Sequence, residues 1–188
     1  WFERSPPISG AGALAHLDAL YANGERERLA ELTPRYWRTL SIDRHAEAAL
    51  LKRHGAHLGK DDHRARLDRM IWTQNSGAAQ RMLTRVDPQT AALGRARIAL
   101  LRRSAGVDGA IARVPKNMRD APELWFERLR WRRRKGLDSS AGDILFDLSG
   151  IRPQPHKWAK ESQILARRAL ANGHYSEAAR LVTGHGLS

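Results

Sequence analysis

Apolar positions recur along this chain with a helical period. Leu14, Leu17 and Leu20 form one stripe, and Leu29 and Leu32 resume it beyond Asn23-Gly24. Sustained alternation of apolar and polar residues, the mark of a half-buried strand, is missing, and β-branched residues are few. Asn23-Gly24 therefore reads as a helix C-cap between two helices and not as a hairpin turn. Helices are expected near 11–22, 25–33, 42–57, 62–74, 76–86, 89–104, 107–114, 121–135, 138–148, 156–172 and 175–184. The breaks between them fall at Pro34, Gly59, Pro88, Gly106, Pro115, Pro122, Gly136, the Gly150–Pro155 stretch and Gly173.

Short helices joined by tight turns suggest an internal repeat, and one is visible. Ala79, Ala110, Ala141 and Ala178 each fall early in the second helix of a pair, and Met82, Val114, Ile144 and Leu181 follow within about one turn. The alanines are separated by 31, 31 and 37 residues, the last interval lengthened by Ile151-Arg152-Pro153-Gln154-Pro155. Small residues let paired helices approach closely, and the following apolar residue packs between repeats. Two helices per repeat of this length predict an all-α fold, an α-solenoid or superhelix of short antiparallel, tetratricopeptide-like helix pairs. Residues 1–60 are expected to form an N-terminal helical segment, continuous with a superhelical repeat region over 61–188. The chain ends at Gly186-Leu187-Ser188, directly after a helix pair and without a polar cap, so a fragment of a longer protein is expected.

Composition narrows the chemistry. The 188 residues are 41% hydrophobic and 28% charged, enough for a packed core. Lys and Arg number 33 against 20 Asp and Glu, a formal net charge of +13, which fits either an acidic polymer or anionic surface as partner or an Ala- and Arg-rich composition without functional meaning. With no cysteine, disulfides, thiolate metal sites and Cys nucleophiles are excluded. No apolar run approaches the ~20 residues of a membrane span. No Ser lies in a Gly-x-Ser-x-Gly elbow, and no Gly-x-x-x-x-Gly-Lys-Ser/Thr loop is present.

Four stretches carry a family resemblance. They are Ala65-Arg66-Leu67-Asp68-Arg69-Met70-Ile71-Trp72, Ala96-Arg97-Ile98-Ala99-Leu100, the run from Leu124-Trp125-Phe126-Glu127 through Arg132-Arg133-Arg134-Lys135-Gly136, and Pro155-His156-Lys157-Trp158 leading into Ala166-Arg167-Arg168-Ala169-Leu170, Ala178 and His185-Gly186. From about Asp62 onward the chain resembles the N-terminal superhelical region of soluble lytic murein transglycosylases. The family often has a doubled Trp and an acidic-basic pair near the fourth stretch; here Trp158 is followed by Ala159, Lys160 and Glu161. The resemblance implies a periplasmic protein whose family cleaves the MurNAc–GlcNAc β-1,4 bond without water and closes a 1,6-anhydro ring. In the family one Glu serves as general acid and then base, inside a separate C-terminal domain with Glu-Ser and Gly-Leu-Met-Gln motifs.

No catalytic residue is assigned here. Glu161-Ser162 imitates the family's Glu-Ser motif, but Lys157, Lys160, Arg167 and Arg168 surround it in sequence. Cations beside a carboxylate favour its ionised form, the opposite of what a general acid requires. His54, His57 and His63 with Asp61 and Asp62 form the one cluster with ligand-like spacing, and a solvated helix end explains it as well; no metal or other cofactor is expected. Arg128, Arg130, Arg132, Arg133, Arg134 and Lys135 form the densest basic run, with Arg128, Arg132 and Lys135 on one helical face. Arg128, Arg132, Arg133 and Lys135 are the candidate substrate-binding residues, for phosphates or stem-peptide carboxylates, against the alternative of a solvated face paired to Glu123, Glu127 or Asp138. Of Trp72, Trp125, Trp131 and Trp158, at least three are expected in the core. The expected function is a non-catalytic scaffold that guides peptidoglycan glycan strands, with a protein-binding helical-repeat module as the alternative. No helix-turn-helix spacing, RNA-binding signature or basic arm is present, so nucleic acid is not an expected partner.

Overall fold

The computed structural model describes residues 4–147 and 150–183. Its regular structure is entirely helical, so the all-α class is correct. The helices are α1 (Gly10–Ala22), α2 (Arg26–Thr39), α3 (Arg44–His54), α4 (Lys60–Trp72), α5 (Ser76–Met82), α6 (Pro88–Arg102), α7 (Val107–Ala112), α8 (Pro122–Arg134), α9 (Asp138–Asp147), α10 (Pro155–Ala171) and α11 (Tyr175–Thr183), with single 3-10 turns at Gly55–His57 and Lys116–Met118. The expected end at Gly186-Leu187-Ser188 and the His185-Gly186 part of the fourth stretch lie outside the described residues. No helix among the described residues is long and apolar enough to cross a membrane.

Four helix pairs share one turn geometry. α1–α2, α4–α5, α8–α9 and α10–α11 are each joined by three residues. The middle residue is left-handed in every case: Gly24, Gln74, Gly136 and Gly173, with φ between 62° and 78°. The residue after it donates its backbone N–H five positions back, as Glu25 to Leu20, Asn75 to Met70, Leu137 to Arg132 and His174 to Ala169. This is the Schellman closure, which satisfies carbonyls that the helix end leaves open. The repeat seen in the sequence sits on this turn. Ala79, Ala141 and Ala178 each come five residues after the left-handed residue and are buried, while Ala110 is half-buried. Met82, Val114, Ile144 and Leu181 are all buried beside them.

Pro34 does not end α2, contrary to the break expected there. A proline inside a helix removes one backbone donor and crowds the preceding turn, at a cost of about 3 kcal/mol. The turn beyond it buries Tyr36 and Trp37, and Trp37 is fully enclosed. Helical continuation is what places these rings in the core, and their burial offsets the proline.

The chain packs as two compact units, Trp1–Gly94 and Arg95–Ser188, parting inside α6. Residues 60 and 61, where the sequence suggested a change of character, lie within the first unit, where α4 packs on α2 and α5. The first unit is cored by Leu17, Leu29, Trp37, Leu50, Ile71 and Met82, and the second by Leu100, Leu124, Phe126, Leu129 and Trp158. Gly94 lets α6 approach closely: a Cβ there would lie 2.8 Å from Leu83 Cδ2 and 3.1 Å from Leu67 Cδ2, and these side chains would have to shift to admit it.

Candidate functional site

The basic run lies on α8 and its C-terminal turn, in the second unit. Pro122 in the first turn has its φ preset for a helix, and Glu123 there and Arg132, Arg133 and Arg134 in the last turn complement the helix dipole. Leu124, Phe126 and Leu129 anchor α8 in the core. This leaves a partly exposed side made of Trp125, Arg128, Trp131, Arg132 and Lys135. The Arg128 guanidinium lies 4.1 Å from the centre of the Trp125 ring, and the Lys135 ammonium lies 6.0 Å from that of Trp131. Arg132 donates from Nη1 to the Ser140 carbonyl at 2.7 Å, which ties α8 to α9.

Of the four candidate residues, Arg128, Arg132 and Lys135 share this side and Arg133 does not. Arg133 turns toward α10, where its Nε donates to Glu161 Oε2 and its Nη2 to Oε1 at 3.2 Å. Arg130 Nε approaches the same carboxylate at 3.4 Å. Only two of the four tryptophans expected to be mostly core are buried, Trp72 and Trp158. Trp125 and Trp131 are half-exposed, each with a cation over its ring. Both sit on the helical face that α8 turns away from α10, so Leu-rich surroundings in sequence did not mean burial.

Glu161 and Ser162 are structural. Glu161 is 6% exposed and held between two guanidiniums of α8. Ser162 Oγ donates to the Leu181 carbonyl and pins α10 to α11. The partners of Glu161 come from α8, whereas Arg168, near it in sequence, bonds Asp138 Oδ1 at 2.8 Å. Beside this clamp Phe126 packs edge-on against Trp158, with ring centres 5.1 Å apart. The Trp158 indole N–H donates to the Pro153 carbonyl at 2.9 Å. The third and fourth stretches of the resemblance therefore meet in one packing unit.

Glu127, one turn before Arg130, is 1% exposed, and its Oε1 has no hydrogen-bond partner. Burial raises its pKa above the ordinary 4.5, against the opposing charges of Arg130, Arg97 and Arg134. The folded chain thus holds this proton more tightly than the unfolded chain does. Its contribution to stability is complete below pH 4.5 and is lost as the pH rises through the folded value. Glu127→Gln removes that loss. Urea midpoints measured from pH 4 to 7 should show the native chain weakening relative to the variant as the pH rises. A constant difference across that range would contradict it.

The histidine cluster is dispersed. His54 Nε2 pairs with Asp18 Oδ1 at 2.8 Å, while Asp62 accepts from the Gly59 N–H at 2.8 Å and pairs with Arg38. His63 stands edge-on to Trp37, and burial lowers its pKa. Among the described residues no three His, Asp or Glu side chains lie together as metal ligands. Asp18, Tyr21, Arg53 and His54 line a cleft of about 280 Å³ in which Asp18 already carries both Arg53 and His54.

A second clamp, invisible in the sequence, lies in the first unit. Glu47 accepts from Arg66 Nη2 at 3.1 Å, from Arg81 Nε at 2.7 Å and from Arg81 Nη2 at 3.2 Å. Arg66 is completely buried, stacks 4.2 Å over Trp37 and donates to the Trp37 carbonyl at 2.9 Å. Each unit thus closes on one buried glutamate shared by two arginines. Comparison of the chain with known protein families, curated proteins and solved structures finds no match.

Proposed function

We propose that this chain is a non-catalytic helical scaffold from a periplasmic lytic transglycosylase, and that it guides peptidoglycan glycan strands along the outer side of α8. The observation that carries this reading is how α8 divides its residues. Arg130 and Arg133 turn inward to Glu161, while Trp125, Arg128, Trp131, Arg132 and Lys135 remain on the partly exposed side. On this reading the partly exposed indole rings contact sugar rings beside the cations that cover them, and Arg128 and Lys135 pair with stem-peptide carboxylates. The sequence resemblance supports the same assignment, since this face belongs to its third stretch, which packs on the fourth. Cleavage of the glycan belongs, on this reading, to a separate domain of the parent enzyme.

The test is co-sedimentation with purified peptidoglycan sacculi at low and near-physiological salt, with duplex DNA as competitor. The chain is expected to stay with the sacculi at the higher salt and to resist displacement by DNA. Release at the higher salt, or complete displacement by DNA, would reduce the binding to unspecific attraction by the net charge of +13.

A further inference from the structure

We propose that the outer side of the α10–α11 pair docks an acidic amphipathic helix of a partner protein. On α10, His156, Lys160, Gln163 and Arg167 recur on one face. With Ala159 and Ile164 they form an open surface along α10. Lys160 and Arg167 are exposed, and neither forms an ion pair among the described residues. The residues that α10 directs at α8 and α9 are others: Trp158, Glu161 and Arg168.

The neighbouring helix continues the surface in apolar form. Tyr175, Ala179 and Val182 share one face of α11 and are all exposed, Tyr175 at 71% and Val182 at 51%, with Leu170 of α10 also at 51%. The reverse side of α11 is already occupied. Arg180 stacks 4.0 Å over Phe146 of α9, and a Cβ on Gly142 of α9 would touch Glu177 and Leu181. Among the described residues the unpartnered surface is therefore a basic strip beside an apolar one.

Within the same unit such a surface has a known complement. α8 offers Arg130, Arg133 and Phe126, and α10 answers with Glu161 and Trp158. The helix that fits α10 and α11 carries carboxylates two turns apart for Lys160 and Arg167, and an apolar stripe for Tyr175 and Val182. Charge argues against a second copy as occupant, because two chains of +13 repel.

The probe is a fluorescent, Ala-rich helical peptide of about 20 residues, with Glu at positions i and i+7 and Leu along the adjacent side. Anisotropy is read with the full 188-residue chain at near-physiological salt. Saturable binding is expected, weakened about tenfold by Lys160→Glu with Arg167→Glu, and lost when Lys replaces Glu in the peptide. Tyr175→Ser with Val182→Ser should weaken it too. Arg44→Glu with Lys52→Glu makes the same charge change at exposed positions of α3 and should leave the affinity unaltered. Absence of binding, or an equal loss in the α3 variant, would overturn the proposal. So would a chain that sediments as a dimer and is dissociated by the Tyr175 and Val182 substitutions. The proposal does not depend on the α8 face, so failure to bind sacculi leaves it standing.

Discussion

Replacing Glu161 with alanine should lower the unfolding free energy by about 3–5 kcal/mol, because it strands two largely buried guanidiniums. Arg130 and Arg133 have side chains 8% and 13% exposed, and neither can reach bulk water without leaving its packed position. Arg130 would be left with Glu127 alone, at 3.6 Å. Urea denaturation gives the magnitude, and hydrogen exchange should show the loss of protection in α8 and α10. A cost below about 1 kcal/mol, the range of an exposed ion pair, would mean that the clamp is not what joins these helices. The variant also bears on function, since a scaffold loses binding in proportion to its unfolding and no further.

The second large effect is expected in the first unit. Glu47→Ala leaves Arg66 fully enclosed and without its carboxylate, again a loss of about 3–5 kcal/mol. The remaining bond from Arg66 to the Trp37 carbonyl and its stacking on the indole do not balance a buried charge. Replacing both partners, Glu47→Leu with Arg66→Met, should recover most of the loss, because an apolar pair of similar volume needs no desolvated charge. Thermal unfolding of the native, single and double variants distinguishes the outcomes. If the double variant is as unstable as Glu47→Ala, the arginine is needed for its packing on Trp37 and not for its charge.

These two clamps mark where the sequence stops being legible. Helical period, Gly24, Gly136, Gly173 and the repeated alanines located the helix pairs, because each of those signals is local. The Arg128–Arg132–Lys135 face of α8 was also readable from helical spacing, whereas Arg133, expected to bind alongside it, turns to Glu161. What spacing along one helix does not reveal is the partner on another. Glu161 stood among Lys157, Lys160, Arg167 and Arg168 in the sequence, yet α8 supplies its cations. Glu47 gave no sign of Arg66 and Arg81 for the same reason. Gln74 takes the left-handed position that glycine holds in the other three pairs, so its turn was not marked. Pro34 misled in the opposite direction, since a local penalty yielded to the burial of Tyr36 and Trp37. The exposure of Trp125 and Trp131 followed from the direction α8 faces, a tertiary property.

The central claim is that the outer side of α8 holds glycan, and one comparison addresses it directly. Sacculi binding of the native chain is measured against Trp125→Ala with Trp131→Ala, which keeps every charge, and against Arg44→Glu with Lys52→Glu, which keeps the α8 face. At near-physiological salt the tryptophan variant should lose most of its binding while circular dichroism stays helical, and the α3 variant should retain it. Equal retention by the tryptophan variant, or equal loss by the α3 variant, would contradict a glycan-guiding role for this face.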